Sequence, residues 1–214
     1  YPFMYELTSY YYYSLFNLYP YEESDYHWYC NLFSKGSDSD KCDLYSLCMS
    51  VRYIFSQVKE LLSHEYFDSD SKWCEQLSYW IHSYINSDKS CGNVNELYIQ
   101  LNRLKKGYFP LYNNCNIESF ENVEEDLKKK KELFLHSENF YWIQKTNNLN
   151  INSYNTSFVN YFKECFKLYN NVLKQDFCKR KTVYETDLIN FQRNYNAASK
   201  YLREKGIDIS TDEL

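Results

Sequence analysis

Residues 72–85, KWCEQLSYWIHSYI, hold two tryptophans, two tyrosines, two isoleucines, one cysteine and one histidine in fourteen positions. Cys74, Leu77 and Ile81 recur at intervals of three and four, the spacing at which side chains share one face of an α-helix. The stretch therefore predicts a helix over about 70–86 whose apolar face is buried and whose cysteine joins a disulfide.

The same period of three to four dominates the rest of the chain, and no long stretch alternates with the period of two that is typical of a strand. Glycine, proline and alanine are scarce, so hairpin turns are scarce too, and packing must supply much of the helical stability. The sequence predicts an all-α, disulfide-linked helical bundle of about seven helices. Its expected parts are one or two short helices within residues 1–30, helices over 39–63, 70–86, 94–107, 118–145, 158–172 and 188–202, a linker at 147–152, and helix stops at Pro20, Gly107, Pro110 and Gly206.

A chain of 214 residues fits a single domain. The net charge of −5 argues against nucleic acid as a partner, since nucleic-acid binders normally carry a basic surplus. No apolar run is long enough to span a bilayer, and the first residues, YPFMYELTSY, do not resemble a signal peptide. We expect a single ectodomain over 1–214, excised from a longer protein.

Eight cysteines are spread through the chain, and no two of them have the CxxC spacing of a zinc knuckle or a redox motif. An even set without metal spacing indicates a disulfide framework in an oxidising compartment. The cysteines expected to form it are Cys30, Cys42, Cys48, Cys74, Cys91, Cys115, Cys165 and Cys178.

Helix geometry ranks the possible disulfides. Cys42 and Cys48 are six residues apart on one predicted helix, roughly 9 Å along its axis, which is too far for a bridge. An antiparallel hairpin of the helices 39–63 and 70–86 brings Cys48 level with the end of the second helix. This arrangement favours the pair Cys48–Cys91 and leaves Cys74 for a later partner such as Cys115. It allows Cys30–Cys42 and Cys165–Cys178 as local pairs.

None of the metal-binding or catalytic motifs considered for this sequence has the residues and spacing that its chemistry requires. His27 and Cys30 have a zinc-compatible spacing, but no second His/Cys pair completes four ligands. The acidic stretches near Asp38 and Asp68 lack the glycine and glutamate of a calcium loop. No GxSxG motif and no glycine-rich phosphate loop is present. We therefore expect a protein that is not an enzyme and has no metal and no cofactor.

The stretch ENVEEDLKKKKEL, residues 121–133, combines an acidic and a basic run. The acidic residues 124–126 lie four positions before the basic residues 128–130, the favourable order for ion pairs on a helix surface. The pattern favours a solvated helix face, and a ligand-binding patch is the alternative.

Contact residues are expected among exposed tyrosines. Four consecutive tyrosines, 10–13, go right round a helix, so at least one ring must be partly exposed, although ordinary amphipathic packing is the alternative reading. Loops held by a rigid scaffold also concentrate binding sites, which points to 108–114 and 147–154 unless these are plain solvated connections. The candidate partner-binding residues are Tyr11, Tyr12, Tyr13, Tyr108, Tyr112 and Tyr154.

Four stretches together carry a family resemblance. WCEQLSYWI at 73–81 resembles the Cys-x-x-Leu-x-Tyr-Trp-Ile segment of the Plasmodium interspersed repeat (PIR) proteins, especially their VIR branch. YHWYCNLF at 26–33, DKCDLYSLC at 40–48 and NYFKECFKLYNNV at 160–172 agree with it in cysteine and helix order. KKGYFPLYNN at 105–114 and the charged stretch at 120–134 depart from the family pattern.

The resemblance implies a malaria variant surface antigen, exported and shown on the extracellular side of the infected erythrocyte membrane. It also implies that residues 1–214 are an ectodomain truncated before a C-terminal membrane span that would anchor the full-length protein. It implies adhesion (cytoadhesion), immune evasion and binding to a host cell-surface protein, either an adhesion molecule or an inhibitory immune receptor, with host antibodies as further partners. The competing hypothesis is a soluble, secreted helical effector or carrier that holds a small hydrophobic ligand among its aromatic residues.

Overall fold

The computed structural model describes residues 1–17, 29–33, 43–62, 72–86, 93–110, 116–120, 124–146, 148–175, 182–209 and 214. Those residues form seven α-helices and three short 3₁₀ helices, and none of them lies in a strand. The predicted all-α bundle is confirmed.

The helices follow the predicted order along the chain. The α-helices are α1 Thr8–Asn17, α2 Leu44–Leu62, α3 Trp73–Asn86, α4 Val94–Tyr108, α5 Glu124–Lys145, α6 Asn155–Gln175 and α7 Glu185–Glu204, and the 3₁₀ helices are Pro2–Glu6, Cys30–Leu32 and Ile151–Tyr154. The expected linker at 147–152 thus already contains the start of the third 3₁₀ helix. Gly206, with a φ of 87°, follows the end of α7 as predicted.

The helix predicted from residue 118 begins only at Glu124. The preceding segment is held by α3 and α4 instead. The Glu118 amide donates to Ser78 Oγ at 3.0 Å, and the Ile117 amide donates to Asn102 Oδ1 at 3.0 Å. Side chains of α3 and α4 thereby accept from these two amides and hold the segment against the two helices.

Gly107 does not end α4, which continues to Tyr108. The Phe109 amide still donates to the Lys105 carbonyl at 2.8 Å, so the last turn closes beyond the glycine. Phe109 itself is buried, with its ring centroid 5.1 Å from that of Trp73. Burial of this aromatic ring therefore places the helix end two residues later than the glycine alone predicts.

The chain folds into two compact units, each with its own hydrophobic core. One unit, called the N/C unit here, contains Tyr1–Tyr11 and Asn122–Leu214; the other, the central unit, contains Tyr12–Glu121. The sequence predicts a single domain over 1–214, and that stays a prediction beside this division into two units.

The opening stretch of the sequence forms α3 in the core of the central unit. Leu77 and Ile81 are fully buried, and Trp73 is 2% exposed. Trp80 is largely buried as well, and its indole Nε1 donates to Asn17 Oδ1 at 3.3 Å. The stretch is therefore a core helix face, as predicted.

One disulfide links Cys30 to Cys48, with the two Cα atoms 5.6 Å apart. The predicted pairs Cys30–Cys42 and Cys48–Cys91 are therefore wrong. The 3₁₀ helix Cys30–Leu32 packs against α2, and Cys48 lies on the fully buried face of that helix. Contact between these two elements, which sequence spacing does not show, decides the pairing.

Cys74 is also disulfide-bonded, whereas Cys165 is a free, buried thiol. The predicted pair Cys165–Cys178 is therefore wrong, because Cys165 faces the core from α6. Cys115, the partner suggested for Cys74, lies outside the described residues. Cys42, Cys91 and Cys178 also lie outside them.

The core of the N/C unit forms where α5, α6 and α7 meet. Phe140 on α5 is fully buried, with ring centroids 4.8 Å from Phe162 and 5.2 Å from Tyr195. The N-terminal segment enters the same core, since Phe3 is fully buried and stacks on Phe158 at 4.3 Å. This segment is thus a structural part of the unit.

Replacing both Cys30 and Cys48 by serine should lower the free energy of unfolding by about 3 kcal/mol, because the bridge closes a loop with a sequence separation of 18. Thermal and urea unfolding would measure the loss. Cys165→Ser, which changes a cysteine outside any bridge, is the control and should cost less. An unchanged melting temperature in the double variant would contradict the assigned bridge.

Trp80→Ala should cost about 3–5 kcal/mol, the usual effect of truncating a buried tryptophan. The melting temperature would fall by roughly 2–4 °C for each kcal/mol in a chain of this size. Ile99→Ala on α4 serves as the control, because Ile99 is 47% exposed and should have little effect. Equal melting temperatures for the two variants would exclude a core role for Trp80.

Candidate functional site

The tyrosine run 10–13 divides between core and surface. Tyr12 is 1% exposed, whereas Tyr11 and Tyr13 are 49% and 47% exposed. The expectation that the run cannot be wholly buried is confirmed. Tyr12 is not available to a partner, and the contact roles of Tyr11 and Tyr13 stay predictions.

Tyr108 and Tyr154, which were expected in loops, lie at helix ends and contact other parts of their own unit. Tyr108 is half-buried, with its ring centroid 5.8 Å from that of Phe55. The Tyr154 hydroxyl donates to Glu6 Oε1 at 2.5 Å, and this bond to a carboxylate raises the pKa of Tyr154. Tyr154 thereby ties the third 3₁₀ helix to the N-terminal segment. Tyr112 lies outside the described residues.

The sequence patterns did not predict the most exposed tyrosine among the described residues. Tyr5 is 69% exposed, and its ring meets that of Tyr10 edge to face at 4.7 Å. Phe3 and Leu7 are both buried, and Tyr5 lies between them on a face that their four-residue spacing leaves outside. That spacing is the signal that could have revealed it. Tyr5, Tyr10 and Tyr11 are called the tyrosine surface below; all three belong to the N/C unit.

A part-buried polar cluster lies in the seam between α5 and α6; its Tyr161 and Cys165 are buried, and its His136 and Asn139 are half-buried. The Tyr161 hydroxyl is 2.8 Å from His136 Nδ1 and accepts a hydrogen bond from Asn139 Nδ2 at 3.0 Å. It also hydrogen-bonds to the Cys165 thiol, one turn along α6. Ser9 Oγ from α1 donates to Asn139 Oδ1 at 2.7 Å. These five residues are called the Tyr161 cluster.

Burial sets the protonation states of the Tyr161 cluster. It lowers the pKa of His136 to about 4, although the nearby Glu164 carboxylate acts in the opposite direction. Burial also raises the pKa of the Cys165 thiol and of the Tyr161 phenol far above their usual values. All three groups are therefore neutral at neutral pH, and a neutral thiol is a poor nucleophile. The cluster offers hydrogen bonds within the fold and no activated nucleophile.

The charged stretch is ion-paired on α5. Lys129 Nζ lies 3.1 Å from Glu125 Oε1, the four-residue pairing that the sequence predicts. Lys130 Nζ lies 3.6 Å from Asp187 Oδ2 on α7 instead. These pairs neutralise part of the basic run, but the Lys129 and Lys130 side chains are only 19% and 23% exposed, so the solvated-face interpretation holds only in part.

Asp126 departs from that interpretation because it is buried, at 6% exposure. The hydroxyl of Tyr184, which is fully buried, donates to Asp126 Oδ1 at 2.5 Å. The carboxylate therefore anchors the segment that precedes α7 to the first turn of α5. The sequence alone gives no sign of this, since Tyr184 lies 58 residues away.

The described part of the chain contains neither a metal-binding group of side chains nor a membrane-spanning helix. No three His, Cys, Asp or Glu side chains there are grouped so that they could hold a metal ion. No helix among those residues combines the length and the apolar character needed to cross a membrane.

Comparisons with protein-family models, with curated proteins and with solved structures find no match to this chain.

Tyr161→Phe should lower the free energy of unfolding by about 1–3 kcal/mol, because it leaves polar atoms of His136 and Asn139 without their buried partner. Urea unfolding monitored by circular dichroism would measure the loss. Tyr5→Phe removes the same hydroxyl from an exposed ring and should change stability by less than about 0.5 kcal/mol. Equal stabilities of the two variants would show that the cluster contributes nothing.

Proposed function

We propose that this chain is a display module that binds a host cell-surface protein through the tyrosine surface, without catalysis and without a cofactor. The observation that carries the proposal is the distribution of exposed rings. Seven large apolar side chains are exposed among the described residues, and two of them, Tyr5 and Tyr11, belong to the tyrosine surface. Tyrosine is enriched among the residues that dominate binding energy at protein interfaces.

The support beneath the tyrosine surface is rigid. Pro2–Glu6 is a 3₁₀ helix, and Tyr11 lies in the first turns of α1. Phe3 and Leu7 anchor this segment in the core of the N/C unit, at 0% and 1% exposure. Rings held on ordered backbone lose little conformational entropy on binding, which favours affinity.

The Cys30–Cys48 bridge and the bonded Cys74 support an extracellular setting, since disulfides persist in oxidising compartments. The resemblance of residues 73–81 to the PIR segment supports display on the infected erythrocyte, with membrane anchoring supplied by another part of the full-length protein. An adhesion molecule or an inhibitory immune receptor of the host is the proposed partner. Host antibodies would meet the same exposed rings.

The double variant Tyr5→Ser, Tyr11→Ser should weaken binding at least about tenfold, because hot-spot tyrosines each contribute on the order of 2 kcal/mol. The folded chain would first be screened against host cell-surface ectodomains. The affinity of each variant for the captured receptor would then be measured by surface plasmon resonance.

Ile189→Ser is the matched control for the double variant. Ile189 is 56% exposed on α7 of the same unit, so its loss removes a comparable apolar group elsewhere on the surface. Binding should survive this change. A receptor that tolerates both tyrosine substitutions, or that depends equally on Ile189, would contradict the assigned surface.

A further inference from the structure

The N-terminal segment, residues 1–11, covers the seam that holds the Tyr161 cluster. The Tyr1 ring meets Tyr161 edge to face at 5.2 Å, and the Phe3 ring meets the same tyrosine at 5.4 Å. Ser9 bonds Asn139 on the other side of the seam. The segment that carries the tyrosine surface is therefore fixed to α5 and α6 around one buried hydroxyl.

The hydrogen bonds of that hydroxyl depend on the protonation state of His136. When the neutral imidazole carries its proton on Nε2, Nδ1 accepts the Tyr161 proton, while the Tyr161 oxygen accepts from Asn139 Nδ2. Adding a proton to His136 turns Nδ1 into a donor. The Tyr161 proton must then point to Cys165, whose sulfur is a weak acceptor, and a cation is left in the covered seam.

The titratable groups that act on His136 and Tyr161 come from α6 and from the N-terminal segment. From α6, Glu164 partly compensates a positive imidazole, and Tyr161 and Cys165 are neutral. From the N-terminal segment, the Tyr1 phenol is hydrogen-bonded to Glu164; partial burial and this bond raise the pKa of Tyr1 to about 12. Glu164 is an exposed carboxylate, so it offsets only part of the burial penalty on a positive His136.

We propose that residues 1–11 form an acid-released clasp, in which protonation of His136 frees the segment from the α5–α6 seam and withdraws the tyrosine surface from its rigid support. This inference rests on the proposed function for its biological meaning, because the tyrosine surface is the part that the clasp would control. Its physical content does not depend on any partner.

The direction and size of the effect follow from linkage. The pKa of His136 is about 4 with the clasp docked, against an ordinary value of 6.5 once the imidazole meets water. A depressed histidine pKa contributes stability that is fully present above pH 6.5 and is lost as the pH falls towards 4. Release should therefore become about twentyfold more favourable between about pH 7 and about pH 5.

Cys165 reports release directly, because it is a free thiol at 1% exposure beneath this segment. Its labelling by dithiodipyridine, quantified by peptide mapping and corrected for the reagent's rate with an unstructured thiol peptide, should accelerate about twentyfold between about pH 7 and about pH 5. Far-UV circular dichroism should stay constant over that range. Constant labelling, or labelling that accelerates only as helicity is lost, would overturn the clasp.

Variants separate the clasp from general acid sensitivity. His136→Gln should abolish the pH dependence, whereas His82→Gln, which removes a histidine from the central unit, should retain it. Ser9→Ala should speed labelling about fivefold at neutral pH by removing one hydrogen bond of the clasp, and should keep the acid response. An acid response that survives in His136→Gln, or a Ser9→Ala variant that labels like the parent, would overturn the proposal.

The labelling assay contains no receptor, so its outcome is independent of the binding experiment. A chain that binds no host protein but shows the acid response retains the clasp and loses the proposed function. A chain that binds through the tyrosine surface but labels identically at both pH values retains the function and loses the clasp.

Discussion

Burial of Phe3 against Phe158 and Tyr161 is the contact on which the arrangement of the N/C unit depends. The segment before α1 is too short to form a stable helix by itself, because isolated short helices are marginal in water. Its order is therefore supplied by the aromatic rings that receive it. The position of Phe3 determines the direction of Tyr5 and the hydrogen bond from Ser9 to Asn139. It also determines which side of the α5–α6 seam is closed to water.

The two units compensate for the scarcity of alanine in different ways. With almost no alanine, the helices gain little from intrinsic propensity, and packing of large rings has to compensate. The central unit adds covalent ties at Cys48 and Cys74 to this packing. The described part of the N/C unit relies on polar anchors beneath its rings, such as Tyr184 on Asp126 and Tyr161 on Asn139. A free cysteine in that unit is compatible with stability because it is fully packed.

The spacing of apolar residues along the chain predicts the helices well, but it predicts the contacts between helices poorly. The three- and four-residue spacing around Ile81 identifies α3 and its buried face, because periodicity depends only on neighbouring residues. The bridge from Cys30 to Cys48 and the exposure of Tyr5 depend on how separate elements pack, which the spacing of cysteines or tyrosines does not encode. Phe120 illustrates the limit: its apolar character fits a helix pattern, yet its ring stacks on Tyr79 of α3 at 4.7 Å.

The discontinuity of the N/C unit has a consequence for biosynthesis. Residues 1–11 leave the ribosome before the helices that bury Phe3 and Leu7, which are translated more than a hundred residues later. At roughly 5–20 residues per second the segment waits several seconds or longer without its partners. The central unit, which is continuous in sequence, is complete during that interval and can collapse first. Until α6 emerges, the nascent chain therefore presents an unprotected apolar stretch, and a chaperone that shields it would raise the yield of native protein.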